Sequence, residues 1–256
     1  MSVPFRTHLN VQLPHLPLNR KSRNRLRKRN SQRFSALERA ARSLVLDPLE
    51  PRVLLNADVL ALDLATMYQD NRDHELLLRL HEDVQQTETS TTTVQRVQIV
   101  DRAGGAILAF GDLSEISSVS ILGGAGNDTF FVDVASFDDS KALSFDLDGG
   151  AGLDSVTFNS AHDTDWNIGD ASEGTANDGF VSLQFAGMEW AIGAEDNQDE
   201  FTISPAGSMV GIDGGDGGWD TLILSEGTYG SVVYDTIDAN SGTITRDGDP
   251  LSFLGL

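Results

Sequence analysis

From Val94 to the end of the chain, apolar and polar residues alternate in short runs: Val97-Gln-Ile99, Val119-Ser-Ile121, Phe145-Asp-Leu147, Val156-Thr-Phe158, Phe201-Thr-Ile203, Leu222-Ile-Leu224 and Val232-Val-Tyr234. A period of two predicts strands that bury one face and wet the other. Glycine and aspartate clusters separate them, beginning near Gly123, Gly149, Gly169, Gly193, Gly214 and Asp238, at steps of 26, 20, 24, 21 and 24 residues. Such steps are a coil length, and they predict a mostly β body built as a right-handed parallel β-solenoid, or β-roll-like array, over residues 94–256. Upstream the period changes. Phe34, Leu37, Ala41 and Leu44 follow a helical stripe behind a Ser35…Glu38 capping box, and Asp47-Pro48 closes it. Leu76, Leu77, Leu80 and Val84 predict a second helix over 68–84, with His74 and His81 as solvated surface residues. The polar run QQTETSTTT (85–93) reads as a linker and a domain boundary.

A longer period lies over the first. GGAGNDTFFV at Gly123 matches GAEDNQDEFTI at Gly193, 70 residues on, and GGAGLDSVTF at Gly149 matches GGDGGWDTLIL at Gly214, 65 on. Phe185, Gly187 and Met188 match Phe253, Gly255 and Leu256 at a displacement of 68. Units of this size bury their apolar faces against their neighbours, and the expected unit is three coils. Ending at an apolar strand without a polar cap, the chain reads as about two and a half repeats of a longer array; Leu256 as a true terminus on a closing strand is the alternative.

Composition and charge divide the 256 residues further. The first 52 hold 12 of the 18 Lys and Arg beside three acids, a net of +9; the remainder carries six bases and 36 acids, a net of -30. A basic head (1–48), expected to be largely disordered around its short helix, thus precedes residues 49–93 and then the acidic body. The head suits a polyanion or an export machine, whereas the body repels nucleic acid and attracts cations. With no cysteine, disulfides, thiolate nucleophiles and cysteine metal sites are excluded. No run reaches the roughly 20 apolar residues that span a bilayer, and the apolar runs after the arginine-rich Asn19–Asn30 are broken by Asp47, Pro48, Glu50, Arg52 and Asp58, unlike a secretory signal.

LEPRVLLNAD (49–58), through Leu49, Glu50, Pro51, Arg52, Leu54 and Leu55, resembles the LEPR-XLL segment near the start of very large, repeat-containing bacterial surface or secreted proteins. The resemblance implies context, the head of a long exported protein, and no chemical activity. As residues alone the segment is equally an amphipathic anchor for the next domain.

GGAGNDTFF fills every specified place of G-G-x-G-x-D-x-U-x with Gly123, Gly124, Gly126, Asp128 and Phe130, and GGAGLDSVT does so with Gly149, Gly150, Gly152, Asp154 and Val156. GGDGGWDTL carries one extra residue before Asp220, and GAEDNQDEF keeps only Gly193. Glycines let the chain turn so tightly that carbonyls point inward, and aspartate adds a hard charged oxygen. These turns are similar to the repeats-in-toxin (RTX) nonapeptides, which implies a β-roll whose stacked turns share calcium ions. Calcium takes six to eight oxygens at about 2.3–2.6 Å, so one turn supplies part of a shell. The motifs here are not in tandem. A 26-residue step stacks Asp128 over Asp154 only if it is one full coil. The expected calcium ligands are then the carbonyls at Gly123, Ala125, Gly149 and Ala151 with Asp128 and Asp154, supplemented by Asn127 or Asp148, and a further site at Gly214, Asp216 and Asp220. The competing reading keeps the turns and drops the metal.

No serine elbow, HExxH run, phosphate loop or dinucleotide fingerprint occurs, and no enzymatic activity is expected. Acidic pairs such as Asp138-Asp139 and Glu195-Asp196 read as solvated, and Trp166, Trp190 and Trp219 as core or turn cover before a sugar-binding face. Three readings stand: the N-terminal part of a large extracellular or cell-surface bacterial repeat protein of adhesin or matrix type; the targeting head of an RTX-type secreted hydrolase or toxin; and a polyanion-binding protein acting through the basic head.

Overall fold

Alternation becomes two large mixed β-sheets. The computed structural model describes residues 58–68, 70–86, 90–137 and 141–256; the basic head with its Ser35 capping box and nearly all of LEPRVLLNAD lie outside them. In chain order come β1 (Val59–Asp63), the one-turn helix α1 (Leu64–Tyr68), β2 (Glu75–Gln86), β3 (Thr91–Asp101), β4 (Ile107–Asp112), β5 (Ser118–Leu122), β6 (Thr129–Asp133), β7 (Leu143–Asp148), β8 (Ser155–Asn159) and β9 (Thr164–Asp170). Then follow β10 (Glu173–Asn177), β11 (Val181–Ala186), β12 (Trp190–Ile192), β13 (Asp199–Ile203), β14 (Gly211–Asp213), β15 (Thr221–Leu224), β16 (Val232–Thr236), β17 (Gly242–Arg246) and β18 (Asp249–Leu254).

The first sheet has eight strands in the order β1-β5-β7-β11-β10-β9-β13-β15, and the second has ten, β16-β17-β18-β14-β12-β8-β6-β2-β3-β4. Neither closes into a barrel. From β5 to β8 the chain passes alternately between the sheets, and like strands pair in parallel: β5 with β7 from Ser118–Ser144 to Leu122–Asp148, β6 with β8 from Thr129–Ser155 to Asp133–Asn159. Two antiparallel excursions interrupt this. The hairpin β9–β10 precedes β11, and the hairpin β16–β17 precedes β18.

Inward residues of both sheets form one core. Val119, Ile121, Phe145 and Leu147 from the first sheet meet Phe130, Val132, Val156 and Phe158 from the second, all essentially without solvent contact. Trp166 sits at the centre, stacked on Phe201 at 5.1 Å and edge-on to Phe158 at 6.3 Å; such pairs add about 0.5–1.5 kcal/mol beyond the area they bury.

Two expectations upstream of Val94 are corrected. Residues 75–86 are strand, not helix. Leu76 and Leu78 point into the core, β2 pairs antiparallel with β3 from Leu76–Asp101 to Gln86–Thr91, and its other edge pairs with β6. The expected linker 85–93 therefore holds the end of β2 and, from Thr91, the start of β3, because β-branched threonines fit a paired strand. β2 belongs to the same sheet as β6 and β8, so the packed body starts upstream of Val94.

The 65–70-residue period is present but spans two and a half coils. The chain leaves the Gly123 turn in the second sheet, at β6, and after an even number of crossings enters the Gly193 turn from that same sheet, at β12, so the Gly123 turn runs from the first sheet to the second and the Gly193 turn from the second to the first. The second half repeats the first with the sheets exchanged. Even the excursions match: β9–β10 before β11 and Gly187, β16–β17 before β18 and Gly255, two glycines with φ of 61° and 65°.

Candidate functional site: two stacks of glycine–aspartate turns

Because the crossings alternate, the glycine–aspartate turns fall into two stacks. In the first, the Gly123–Asp128 turn lies on the Gly149–Asp154 turn. Gly123 N donates to Asp148 O at 2.6 Å, Ala151 N to Gly124 O at 3.1 Å and Ser155 N to Asp128 O at 2.9 Å. The 26-residue step is thus one full coil, as the stacking of Asp128 over Asp154 requires. The approach is so close that a β-carbon at Gly123 would overlap the Gly149 carbonyl, and Gly150 takes φ of 90° to clear Gly124.

Both aspartates are fully buried, and backbone N–H groups hold them. Asp128 Oδ2 accepts from Gly124 N at 2.8 Å in its own turn, and Oδ1 accepts from His74 N at 2.9 Å in the preceding rung. Asp154 Oδ1 accepts from Asp128 N at 2.6 Å, and Glu189 Oε2 accepts from Asp154 N at 2.7 Å. Each carboxylate therefore ties the backbone of the rung before it. Asn127 adds a parallel tie, its N donating to Asp73 Oδ1 and its Oδ1 accepting from Leu153 N.

The second stack repeats this pattern. Gly193 N donates to Asp213 O and Gly214 N to Leu254 O, as Gly123 and Gly149 do to Asp148 and Ala186. Asp199, also fully buried, stands where Asp128 does: Oδ2 accepts from Ala194 N at 3.1 Å, Oδ1 from the Trp166 indole N–H at 2.7 Å. Asp220 stands for Asp154, its Oδ1 accepting from Asp199 N at 2.9 Å. Asp148 and Asp213 each accept from the backbone N–H of the second glycine of their turn, Gly150 and Gly215, at 3.0 Å.

Electrostatics follow from burial beside like charge. Burial pushes the Asp154 carboxyl up to about 6, with Asp128, Glu189 and Asp148 adding to the rise and the Asp128 N–H opposing it. Burial likewise lifts Asp199 to about 7, opposed by the Trp166 and Ala194 N–H groups and reinforced by Asp220 and Asp163. Asp220 is raised as well, chiefly by burial.

The expected calcium ligands are thus brought together as stacked turns, but the place of a shared ion between Asp128 and Asp154 is taken by N–H donors. Among the described residues no three Asp, Glu or His side chains converge on a point where a metal ion would sit. Two buried side-chain oxygens among the described residues have no hydrogen-bond partner, the charged Asp154 Oδ2 in the first stack and the neutral Asn197 Oδ1 in the second. In the third turn Asp220 Oδ1 is engaged while Asp216 is exposed.

Asp199, Glu189 and Asp213 escape a search for the glycine motif. Aligning on the strand that follows would have found the first, since Asp128-Thr-Phe130, Asp199-Glu-Phe201 and Asp220-Thr-Leu222 share one pattern. The tryptophans separate: Trp166 is core, Trp190 covers Gly211 on the outer face of the second sheet, and Trp219 is 83% exposed. Among the described residues no helix is long and apolar enough to cross a membrane. No family model, curated protein or solved structure matches the chain.

Proposed function

We propose that the chain is the N-terminal part of a large secreted or cell-surface bacterial repeat protein, of adhesin or matrix type, in which residues 58–256 form a right-handed β-solenoid with a mechanical role and no catalysis. The observation that supports this reading best is the doubled turn stack. The same carboxylate-to-backbone ladder is built twice, Asp128–Asp154 and Asp199–Asp220, and repetition of a structural device is what an architectural module needs, whereas an active site is unique. The acidic body, the absence of cysteine and the LEPRVLLNAD segment agree with an exported context.

Calcium enters this proposal at the first stack. Asp154 Oδ2 is the buried anionic oxygen it would neutralise, with the Asp148 and Glu189 carboxylates adding to the local negative charge and the carbonyls of the stacked turns completing the shell. Its role there is to hold the rungs together.

Thermal unfolding of the full chain during titration with Ca²⁺ and, separately, Mg²⁺ tests the metal. An ion that binds only the folded state stabilises by about 2.7 kcal/mol at a hundredfold excess over its dissociation constant. A rise with Ca²⁺ that Asp154→Ala removes supports the site; no shift at millimolar Ca²⁺ leaves a metal-free scaffold. Protease shaving of intact cells tests the location, because a surface module is cleaved without lysis and an internal one survives.

A further inference from the structure

The second half of the body copies the first strand for strand at a displacement of 68 residues. The pairs Trp166–Ala176 of β9–β10 and Gly174–Phe185 of β10–β11 return as Tyr234–Ile244 of β16–β17 and Gly242–Phe253 of β17–β18. The packing returns with them: a β-carbon at Gly174 would meet the Phe185 ring at 2.6 Å, and one at Gly242 would meet the Phe253 ring at 2.6 Å. β16 therefore stands for β9, and β15, which follows Asp220, stands for β8, which follows Asp154.

The two copies differ in what pairs with them. β8 carries β12 in parallel from Ser155–Trp190 to Thr157–Ile192, and β9 carries β13 in parallel from Thr164–Asp199 to Ile168–Ile203. β15 and β16 are the outermost strands of their sheets. Exposure follows from this. Val156 and Phe158 are fully buried where Leu222 and Leu224 are half-buried, and Trp166, stacked on Phe201, is fully buried where Tyr234 is 60% exposed. Val232, Val233 and Ile237 are exposed beside it. The opposite edges of the sheets are covered: β1 and β4 pack together, and Leu60, Leu62, Ala109, Leu113 and Ile116 are buried there.

The chain fills the seat beside β15 twice elsewhere. The Asp58 carbonyl, just before β1, accepts from Ser117 N and Ser118 N where β5 joins β1. The Asp154 carbonyl, just before β8, accepts from Glu189 N and Trp190 N where β12 joins β8. The Asp220 carbonyl, just before β15, accepts from no backbone N–H among the described residues.

An unpaired strand edge with exposed apolar side chains is a template for another strand, and the filled seats of the first half specify which strand fits. We propose that β15 and β16 together receive a strand–turn–strand from a further unit of the same repeat, with the chemistry of Glu189–Ile203. A glutamate and a short apolar strand lie parallel on β15; an aspartate and an aromatic strand lie parallel on β16, with the ring over Tyr234. The inference rests on the reading of the chain as part of a longer repeat protein. It needs neither calcium nor a cell-surface location, which the titration and the protease shaving above report on separately.

A synthetic peptide of residues 187–203 tests it against the full chain. Isothermal titration should give a dissociation constant below about 1 mM, weakened about tenfold by Tyr234→Ala at unchanged melting temperature, and a scrambled peptide should not bind. Because the chain has no cysteine, introduced thiols report the register. Thr157 of β8 pairs with Ile192, so a peptide with Ile192→Cys should meet a full chain with Ile223→Cys on β15. Paired strands lie about 4.8 Å apart, within disulfide reach, and oxidation should link the two at least about tenfold faster than it links the peptide to Ile107→Cys on the exposed edge of β4. No binding at millimolar peptide, equal binding of the scrambled sequence, or equal linking at the two positions overturns the proposal. So does self-association of the full chain that Tyr234→Ala abolishes, which would assign these edges to a second copy.

Discussion

The backbone N–H of Asp128 donates to Oδ1 of Asp154, 26 residues away, at 2.6 Å with both residues fully buried. The bond joins two successive coils through an ionisable side chain. It differs from the neighbouring sheet ladder in that a proton or a substitution can change it without touching the backbone.

Asp154→Asn keeps an acceptor for the Asp128 N–H while removing the buried charge, and Asp154→Ala removes both. Without calcium, the asparagine variant should match or exceed the parent in stability, and the alanine variant should lose about 1–3 kcal/mol for the unpaired N–H. Urea denaturation in EDTA measures both; an asparagine variant as damaged as the alanine one would contradict the ladder.

Stability should fall as pH rises through neutrality. Asp199 and Asp154 stand at about 7 and 6 in the folded chain against 3.8 for the free group. The folded state therefore holds protons that the unfolded chain has released, so the stabilisation from their protonation is present near pH 4 and lost as pH climbs past 6 to 7. Melting temperatures in EDTA from pH 5 to pH 8 should decline, and Asp199→Asn should flatten the decline. A midpoint that rises over this range would count against buried, unpaired carboxyls.

Trp166→Phe keeps a smaller aromatic ring in the core and takes the indole N–H away from Asp199 Oδ1. The loss should be about 1–3 kcal/mol at pH 8, where the carboxylate is charged, and smaller at pH 5, where it is protonated. Chemical denaturation at the two pH values separates this from a packing defect, which is independent of pH.

Gly123→Ala should destabilise by about 3 kcal/mol, because its methyl would overlap the Gly149 carbonyl, whereas Gly169→Ala, on an exposed strand position with open space beside it, should change the melting temperature little. Circular dichroism melts of the pair give the comparison. Equal effects would mean that the turns are not closely stacked.

Much of the β body is legible in its alternation, because each period-two run lies within a strand and five of the seven bury their apolar members in the core; Leu222 and Leu224 are only half-buried, and Val232-Val-Tyr234, in the outermost strand of its sheet, is exposed throughout. The error at 68–84 has a physical origin. Leu76, Leu80 and Val84 are four apart, a spacing shared by one face of a helix and one face of a strand, and only pairing with Thr91–Asp101 decides between them. Asp199 is hidden because its turn keeps only Gly193 of the motif's glycines; Asp220 lies the same six positions after Gly214, but there the glycines still mark it. The exchange of sheets depends on how many times loops without a repeating signal cross between layers, a property that long-range packing sets. The turns, their stacking step and the repeat displacement were legible; the N–H partners that occupy the aspartates were not.

Residues 187–199 close the first stack and open the second, so the chain is laced along one side of the array and then along the other. Under a pull along the stacking direction, a molecule laced on one side alone would hinge open about its weaker side. Here each half is laced where the other is not, and β12, which lies between Gly187 and Gly193, joins the two seams. For the surface anchor proposed above, this lacing is the expected way to resist peeling as well as stretching.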